Sequence, residues 1–211
     1  TLVLLPSLTL VSQVSAEWQA NTTKPFSSLF VCSDKTVGSG SSKAEGFIGS
    51  TAELGVAVTT EPEEILGFLS SSGRRVVFAT YQSSFSIVEA QDLGGSAFDL
   101  TIADEAHHCT GKVESYFSAV LDQEKLRSMK RLFMTATPRY VSREIKDKAG
   151  GIDFEIASMD DPEVFGRDFH SLTFGEAIAG GLLSDYQVVI LGVTEEEMSK
   201  KIDRRTLVEL E

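Results

Sequence analysis

Only two cysteines, Cys32 and Cys109, occur among 211 residues. Two thiols cannot build a disulfide framework, which excludes a small cross-linked secreted domain and suits a reducing, cytoplasmic compartment. Long apolar runs are also missing. No stretch reaches the ~18 apolar residues that a spanning helix needs, so no membrane partner is expected. The segment Thr1 to Ala16 comes nearest, and Val14-Ser15-Ala16 resembles a leader-cleavage site. A basic leading region is absent, however, and Pro6-Ser7 interrupts the run. Ser7 reads better as a helix N-cap, with Leu10, Val14 and Trp18 recurring on one helical face. Positive charge is scarce too: 19 Lys and Arg stand against 31 Asp and Glu, a net charge of −12. That balance excludes strong standalone affinity for a polyanion, although a local basic rim can coexist with an acidic total.

What is present is ordinary for a globular chain: 42% hydrophobic residues and 17 glycines. The length suits one α/β domain plus a short appendage. Apolar runs alternate with helical patterns. Strands are expected at Leu2 to Leu5, Ser28 to Cys32, within Thr51 to Val58, at Val76 to Ala79, Phe98 to Ala103, Arg131 to Met134 and Asp153 to Ala157, with another over Gln187 to Val193. Helices are expected from Ser7 onward, over Glu61 to Ser70, Ser84 to Leu93, 115 to 121, Arg139 to Lys148, and from Asp160. Asp34 to Gly46 reads as a polar loop. Repeated βα units imply a parallel sheet with helices on both faces.

Four of the apolar runs end in polar groups of one kind. Leu2 to Leu5 ends in Pro6-Ser7, and Val76 to Ala79 in Thr80-Tyr81-Gln82-Ser83. Phe98 to Ala103 ends in Asp104-Glu105-Ala106-His107. Arg131 to Met134 ends in Thr135-Ala136-Thr137-Pro138-Arg139. Parallel strands would line Ser7, Thr80, Asp104, Glu105, Thr135 and Thr137 along one rim, the carboxyl ends where open α/β sheets bind ligands. A carboxylate pair there suits a magnesium nucleotide, one acid for the metal and one for a water. A solvated acidic turn is the plain alternative for an Asp-Glu pair taken by itself. His107-His108-Cys109 is a poor zinc set, because consecutive residues diverge and no second ligand pair exists.

With these residues in view, the chain resembles the first RecA-like domain of a superfamily 2 DEAH-box helicase or translocase. Pro6-Ser7-Leu8 with Gln13 resembles motif Ia, Thr80 to Ser83 the motif Ib region, Asp104 to His107 motif II, and Thr135 to Pro138 motif III. Leu172 to Ala177 and Leu182 to Tyr186 resemble the exit toward the second domain. The resemblance is greatest to the bacterial restriction-translocase branch. It implies an α/β RecA-like P-loop NTPase fold, with ATP and Mg²⁺ as cofactors. Asp104 would hold Mg²⁺, Glu105 would activate the attacking water, and His107 would link the nucleotide to motif III. Thr135 and Thr137 would join the cofactor-binding set and pass its state onward. Pro6, Ser7, Thr80 and Gln82 would meet a nucleic-acid backbone, DNA in preference to RNA; plain helix capping is the competing role for each. Arg139 is expected to be a solvated cation at a helix start, and Phe174 and Tyr186 to serve packing.

One family element is not in the sequence: G-x-x-x-x-G-K-[ST]. Gly38-Ser39-Gly40-Ser41-Ser42-Lys43 is a superficial likeness and reads as a flexible loop. The expectation is therefore a fold truncated at its N-terminal edge. Residues 1–158 would be a partial first RecA-like domain, 159–186 an exit segment, and 187–211 the start of a second RecA-like domain or a linker helix. The second domain would act in cis. The fragment alone is expected to be inactive. The rival reading is a non-catalytic nucleic-acid-binding or scaffold module that keeps a degenerate helicase fold.

Overall fold

The computed structural model describes residues 1–33, 56–112, 117, 119–141 and 156–186. The chain divides into two compact units, Thr1–Arg167 and Asp168–Glu211.

The first unit is built on six parallel strands: β1 (Leu2–Leu5), β2 (Ser27–Val31), β3 (Val58–Thr59), β4 (Arg75–Thr80), β5 (Thr101–Ala103) and β7 (Arg131–Phe133). Their order across the sheet is β3-β2-β4-β1-β5-β7. β1 therefore lies between β4 and β5, with Leu2 level with both Val77 and Thr101. A second, two-stranded antiparallel sheet pairs β6 (Gly111–Lys112) with β8 (Ile156–Ala157).

Every residue of β1 is buried, as is β4 from Val76 to Thr80. A strand covered on both faces reads as a continuous apolar run rather than an alternating one, and that is the pattern both segments carry. Helix α1 (Leu8–Asn21) covers one face. Ser7 caps it, its hydroxyl accepting from the Leu10 N–H at 3.3 Å. Leu10, Val14 and Trp18 pack there around Val3, Leu5 and Phe78. Trp18 meets Phe78 edge-on at 5.8 Å between ring centroids, and Phe30 stacks on it at 5.7 Å. Helices α2 (Pro62–Ser70) and α3 (Ser84–Asp92) cover the other face, where Ile65, Leu69, Ile87 and Ala90 meet Leu2, Leu4 and Val77. α2 opens with Pro62 at its first turn beside Glu63 and Glu64. The turn after α3 needs glycine: Gly94 has φ 112°, and a Cβ on Gly95 would lie 2.7 Å from the Ala90 carbonyl oxygen.

Four expected elements differ. The strand over Phe98 to Ala103 begins only at Thr101, because Phe98 is spent on a lone bridge to Ser128. Residues 115 to 121 yield a 3₁₀ turn, Ala119–Leu121, as their described part. No helix forms from Asp160: Phe165 N–H reaches the Asp161 carbonyl and Gly166 N–H the Pro162 carbonyl, and then Gly166 turns left-handed at φ 80°. Residues 139–141 are not helical either, and the rest of the helix expected over 139–148 lies outside the described residues. So do the loop 34–46, residues 51–55 and 153–155 of two expected strands, and the strand expected over 187–193.

In the second unit, α4 (Phe174–Ala179) opens with a capping box in which Thr173 and Glu176 exchange hydrogen bonds. Phe174 and Tyr186 approach at 5.8 Å, and both rings remain exposed. No described helix is long and apolar enough to cross a membrane.

Candidate active site at the carboxyl rim of the sheet

Parallel pairing in register brings the ends of β4, β1, β5 and β7 to one rim. Asp104 and Glu105 form the turn leaving β5, followed by the 3₁₀ turn Ala106–Cys109. The turn is tied on both sides. Asp104 N–H donates to the Leu4 carbonyl at 3.0 Å, and Ala106 N–H to the Met134 carbonyl at 2.9 Å. Between these anchors Glu105 adopts φ 50°, ψ 44°. It is the one non-glycine residue with positive φ among those described. Such a conformation costs on the order of 1 kcal/mol and persists where the surroundings impose it.

The carboxylates are not equivalent. Asp104 Oδ1 accepts the Glu105 N–H at 3.0 Å. Burial, and secondarily the Glu105 charge, push the Asp104 carboxyl above the usual range, against the pull of that hydrogen bond. Glu105 Oε2 is buried and makes no hydrogen bond among the described residues. His107 Nδ1 lies 3.3 Å from it.

His107 Nδ1 lies 2.9 Å from Thr135 Oγ1 and 3.3 Å from Thr137 Oγ1. Thr135 Oγ1 also accepts the Thr137 N–H at 3.1 Å, so its own proton is free for the imidazole. β5 and β7 are direct neighbours, which is why residues 28 and 30 positions apart in the chain meet here. The three residues after Ala106 have different partners, although the His107 and His108 rings lie 4.3 Å apart. His107 goes to the threonines, His108 stacks on Phe117 at 5.4 Å, and Cys109 is buried beside Tyr81.

The structure thus brings Asp104, Glu105, His107, Thr135 and Thr137 together. The four residues assigned to a nucleic-acid face fare differently. Pro6 and Ser7 are half-buried at the end of β1, and the Ser7 hydroxyl is engaged as the α1 cap. Gln82 is half-buried, with a buried Oε1 that has no partner among the described residues. Thr80 must be withdrawn as a direct contact. It is fully buried and its hydroxyl donates to Ser83 Oγ at 3.1 Å, leaving nothing to offer a phosphate. Arg139 is exposed, without a helix beneath it.

One residue passed over in the sequence is Tyr81. Its ring is buried, and its hydroxyl donates to the Asp104 carbonyl at 2.7 Å. The signal was an aromatic residue at a strand exit among polar neighbours. Two concavities of about 320 and 380 Å³ lie elsewhere, one lined by Arg74, Arg75, Phe98 and Asp99, the other by Glu17, Trp18 and Phe26. Neither is lined by a rim residue.

Residues 1–140 match the family model described as Type III restriction enzyme, res subunit. The chain belongs to that family. Over 156 residues it is 31% identical to a "Probable helicase" of African swine fever virus, a match covering 70% of this chain and 16% of that protein. A second isolate's version is 37% identical over 104 residues, 47% of this chain and 11% of the other. Among solved structures it resembles the Type ISP restriction-modification enzyme LlaBIII, described as ATP-dependent and bound to DNA. The TM-score is 0.69 and the identity 32%, over 97% of this chain and 14% of that one. It also resembles a nuclease-deletion mutant of LlaGI in complex with a DNA substrate mimic, at TM-score 0.64 and 33% identity, covering 88% and 14%. The chain spans about a sixth of the length of the curated relatives it matches. As a member of the res-subunit family it is a helicase-like domain of the restriction-translocase kind, with the α/β RecA-like P-loop NTPase fold.

Proposed function

We propose that this domain is the nucleotide-hydrolysing part of a longer ATP-dependent translocase acting on DNA, with Asp104-Glu105-Ala106-His107 as a DEAH box. One observation carries the proposal. Glu105 sits in a left-handed turn at the sheet rim with a buried carboxylate oxygen that makes no hydrogen bond among the described residues and lies 3.3 Å from His107 Nδ1, an imidazole tied in turn to Thr135 and Thr137. With one carboxylate oxygen buried beside the imidazole and its side chain 38% exposed, Glu105 can take on a water at the rim without leaving the turn.

The donor set fits magnesium. Carboxylate oxygens are hard ligands of the kind Mg²⁺ takes, and the raised Asp104 pKa marks a site where a nearby cation would relieve burial. Asp104 would hold the ion through the oxygen that Glu105 N–H does not occupy. Among the described residues no group of three or more His, Cys, Asp or Glu is arranged as a metal cage. Mg²⁺ would accordingly be shared with nucleotide phosphates and water, as is usual for this ion. When bound it supplies positive charge at the phosphate oxygens. Glu105 would orient a water and take its proton at Oε2. His107 would sense the result at Nδ1 and pass it to Thr135 and Thr137.

Support for DNA as the track comes from LlaBIII and LlaGI, both solved with DNA or a DNA mimic. Gln82 and the segment Pro6-Ser7, on the same rim, are the proposed backbone contacts. Residues 159–186 would lead out of the domain and 187–211 would begin its second RecA-like partner in cis. The deciding experiment is DNA-stimulated ATP hydrolysis by the intact protein, with Glu105→Gln as the comparison. Loss of hydrolysis with retained nucleotide binding supports the reading. Undiminished hydrolysis returns the domain to the scaffold class.

A further inference from the structure

We propose that Tyr81 is a positioning residue for hydrolysis, holding the Asp104–Glu105 turn through its hydroxyl and linking that turn to the Gln82 rim segment. The inference rests on the proposed ATPase reading and adds to it a residue outside the acid-and-threonine cluster.

The geometry is specific. β4 and β5 are not neighbours; β1 lies between them. Tyr81, the first residue after β4, reaches past the end of β1 and donates to the Asp104 carbonyl at 2.7 Å. That carbonyl belongs to the peptide joining Asp104 to Glu105. Its orientation helps to set the dihedrals at Glu105, the residue held at φ 50°. The same hydroxyl lies against the Cys109 thiol, at the far end of the 3₁₀ turn. One hydroxyl therefore touches both ends of the segment from Asp104 to Cys109, which carries both acids and His107. The ring cannot swing away. It is 1% exposed and packs on Phe117 at 5.0 Å, which in turn stacks on His108. Burial also raises the phenol well above its ordinary pKa, so it remains a donor across the working pH range.

The other end of the device is short. Tyr81–Ser83 is one 3₁₀ turn running directly into α3, with Thr80 and Ser83 locked to each other by a buried hydroxyl pair. Gln82 lies between these fixed residues, with an Oε1 that has no partner among the described residues. A backbone contact made by Gln82 would bear on a rigid turn whose adjacent residue holds the catalytic peptide. Tyr81 touches no reacting atom in this scheme and acts only through Asp104 and Glu105.

The test uses the intact protein with Tyr81→Phe, which keeps the ring and removes only the O–H. Three quantities are read: kcat and KM for ATP with and without DNA, the affinity for Mg-ADP, and amide hydrogen exchange of the segment 101–112. The expected result is a kcat lower by about tenfold or more, with KM and Mg-ADP affinity within about threefold of the parent. Faster exchange should be confined to 101–112 while β1 and β4 stay protected. A kcat within about twofold of the parent, where Glu105→Gln is inactive, overturns the positioning role and leaves the ATPase reading standing. Exchange that rises in every strand, or a variant that does not fold, makes the hydroxyl a plain stability contact and also overturns it. An active Glu105→Gln is a separate result that removes the underlying reading instead.

Discussion

His107 Nδ1 and Thr135 Oγ1 lie 2.9 Å apart, joining the exits of two neighbouring parallel strands. A neutral hydrogen bond of this kind contributes about 1 kcal/mol. That is too little to decide whether the sheet folds. It is enough to bias a switch between nucleotide states by several-fold. In the intact protein, Thr135→Ala with Thr137→Ala should leave folding and ATP binding nearly unchanged and lower DNA movement per ATP consumed. ATPase rate and translocation measured on one preparation check this. A strictly proportional fall in both would make the threonines structural.

The two acids should separate by phenotype. Glu105 Oε2 accepts no hydrogen bond among the described residues, whereas Asp104 Oδ1 accepts a backbone N–H. Glu105→Gln is expected to cut hydrolysis in the intact protein by on the order of 10²–10⁴ while nucleotide still binds. Asp104→Asn should weaken Mg-ATP binding as well. Equilibrium binding of a labelled nucleotide with and without Mg²⁺ separates the two. Equal and mild effects would remove both residues from these roles.

Cys32 and Cys109 are 2% and 1% exposed, and burial pushes both thiols up to about 12. Native chain at pH 8 should therefore resist alkylation and react only after unfolding. The stability linkage has a definite sign. The folded pKa exceeds the ordinary value of 9.0, so the contribution is fully present below that pH and is lost as pH rises toward 12. Each thiol can account for about 1.4 kcal/mol per pH unit in that window. Urea midpoints at pH 8 and pH 10 measure the fall. Cys32→Ala with Cys109→Ala should start less stable and fall more gently; an unchanged slope would contradict the linkage.

The Gln91 side chain fastens the loop before β7. Its Nε2 donates to the Arg127 carbonyl at 2.9 Å and the Ser96 carbonyl at 3.2 Å, and its Oε1 accepts the Arg127 N–H at 2.8 Å. Gln91→Leu would remove all three bonds and leave the half-buried Arg127 N–H unmatched, while the Arg127 carbonyl keeps the Phe98 N–H, at a cost of about 1–3 kcal/mol. Asp92→Asn, next to it, removes an ion pair with Arg127 in which Asp92 is 66% exposed, and should be within about 0.5 kcal/mol of the parent. Chemical denaturation of the 211-residue chain compares them. Equal losses would mean that the buried amide is not the fastening group.

The 211-residue chain tested alone should hydrolyse ATP negligibly. Its sequence contains no G-x-x-x-x-G-K-[ST] to cradle the phosphates, and the rim offers carboxylates and hydroxyls instead. A phosphate-release assay suffices. Turnover at ordinary ATPase rates that vanishes with Glu105→Gln would refute the expectation.

Much of the sheet was legible because buried parallel strands write themselves as apolar runs. Val76 to Ala79 and Leu2 to Leu5 lie where their composition puts them, and the repeated polar exits predicted a common rim. The pairing of β5 with β7, and so the meeting of His107 with Thr135, agrees with the link to motif III that the family resemblance implied. The facing of individual residues was not legible. β4 is buried on both sides, so no alternation told Thr80, which points inward, from Gln82, which lies at the rim. The left-handed turn at Glu105 was invisible as well, because glutamate carries no preference for it and the anchors, Leu4 and Met134, are remote in sequence. Asp160-Asp161-Pro162-Glu163 has the composition of a helix start, yet Gly166 turns left-handed after a single turn.

The position of β1 has a consequence for how the chain reaches this structure. It leads the sequence but occupies the interior of the sheet, level with Val77 on one side and Thr101 on the other. During synthesis Leu2-Val3-Leu4-Leu5 leaves the ribosome some 70 residues before its first partner and some 100 before its second. At roughly 5–20 residues per second, that is several seconds with an apolar segment unpaired on both edges. Closure then requires contacts of long sequence separation, which are slow to form. Of the described strands, β1 is the one whose two edges wait on the most distant downstream segments, so the centre of the sheet is among the last parts to close.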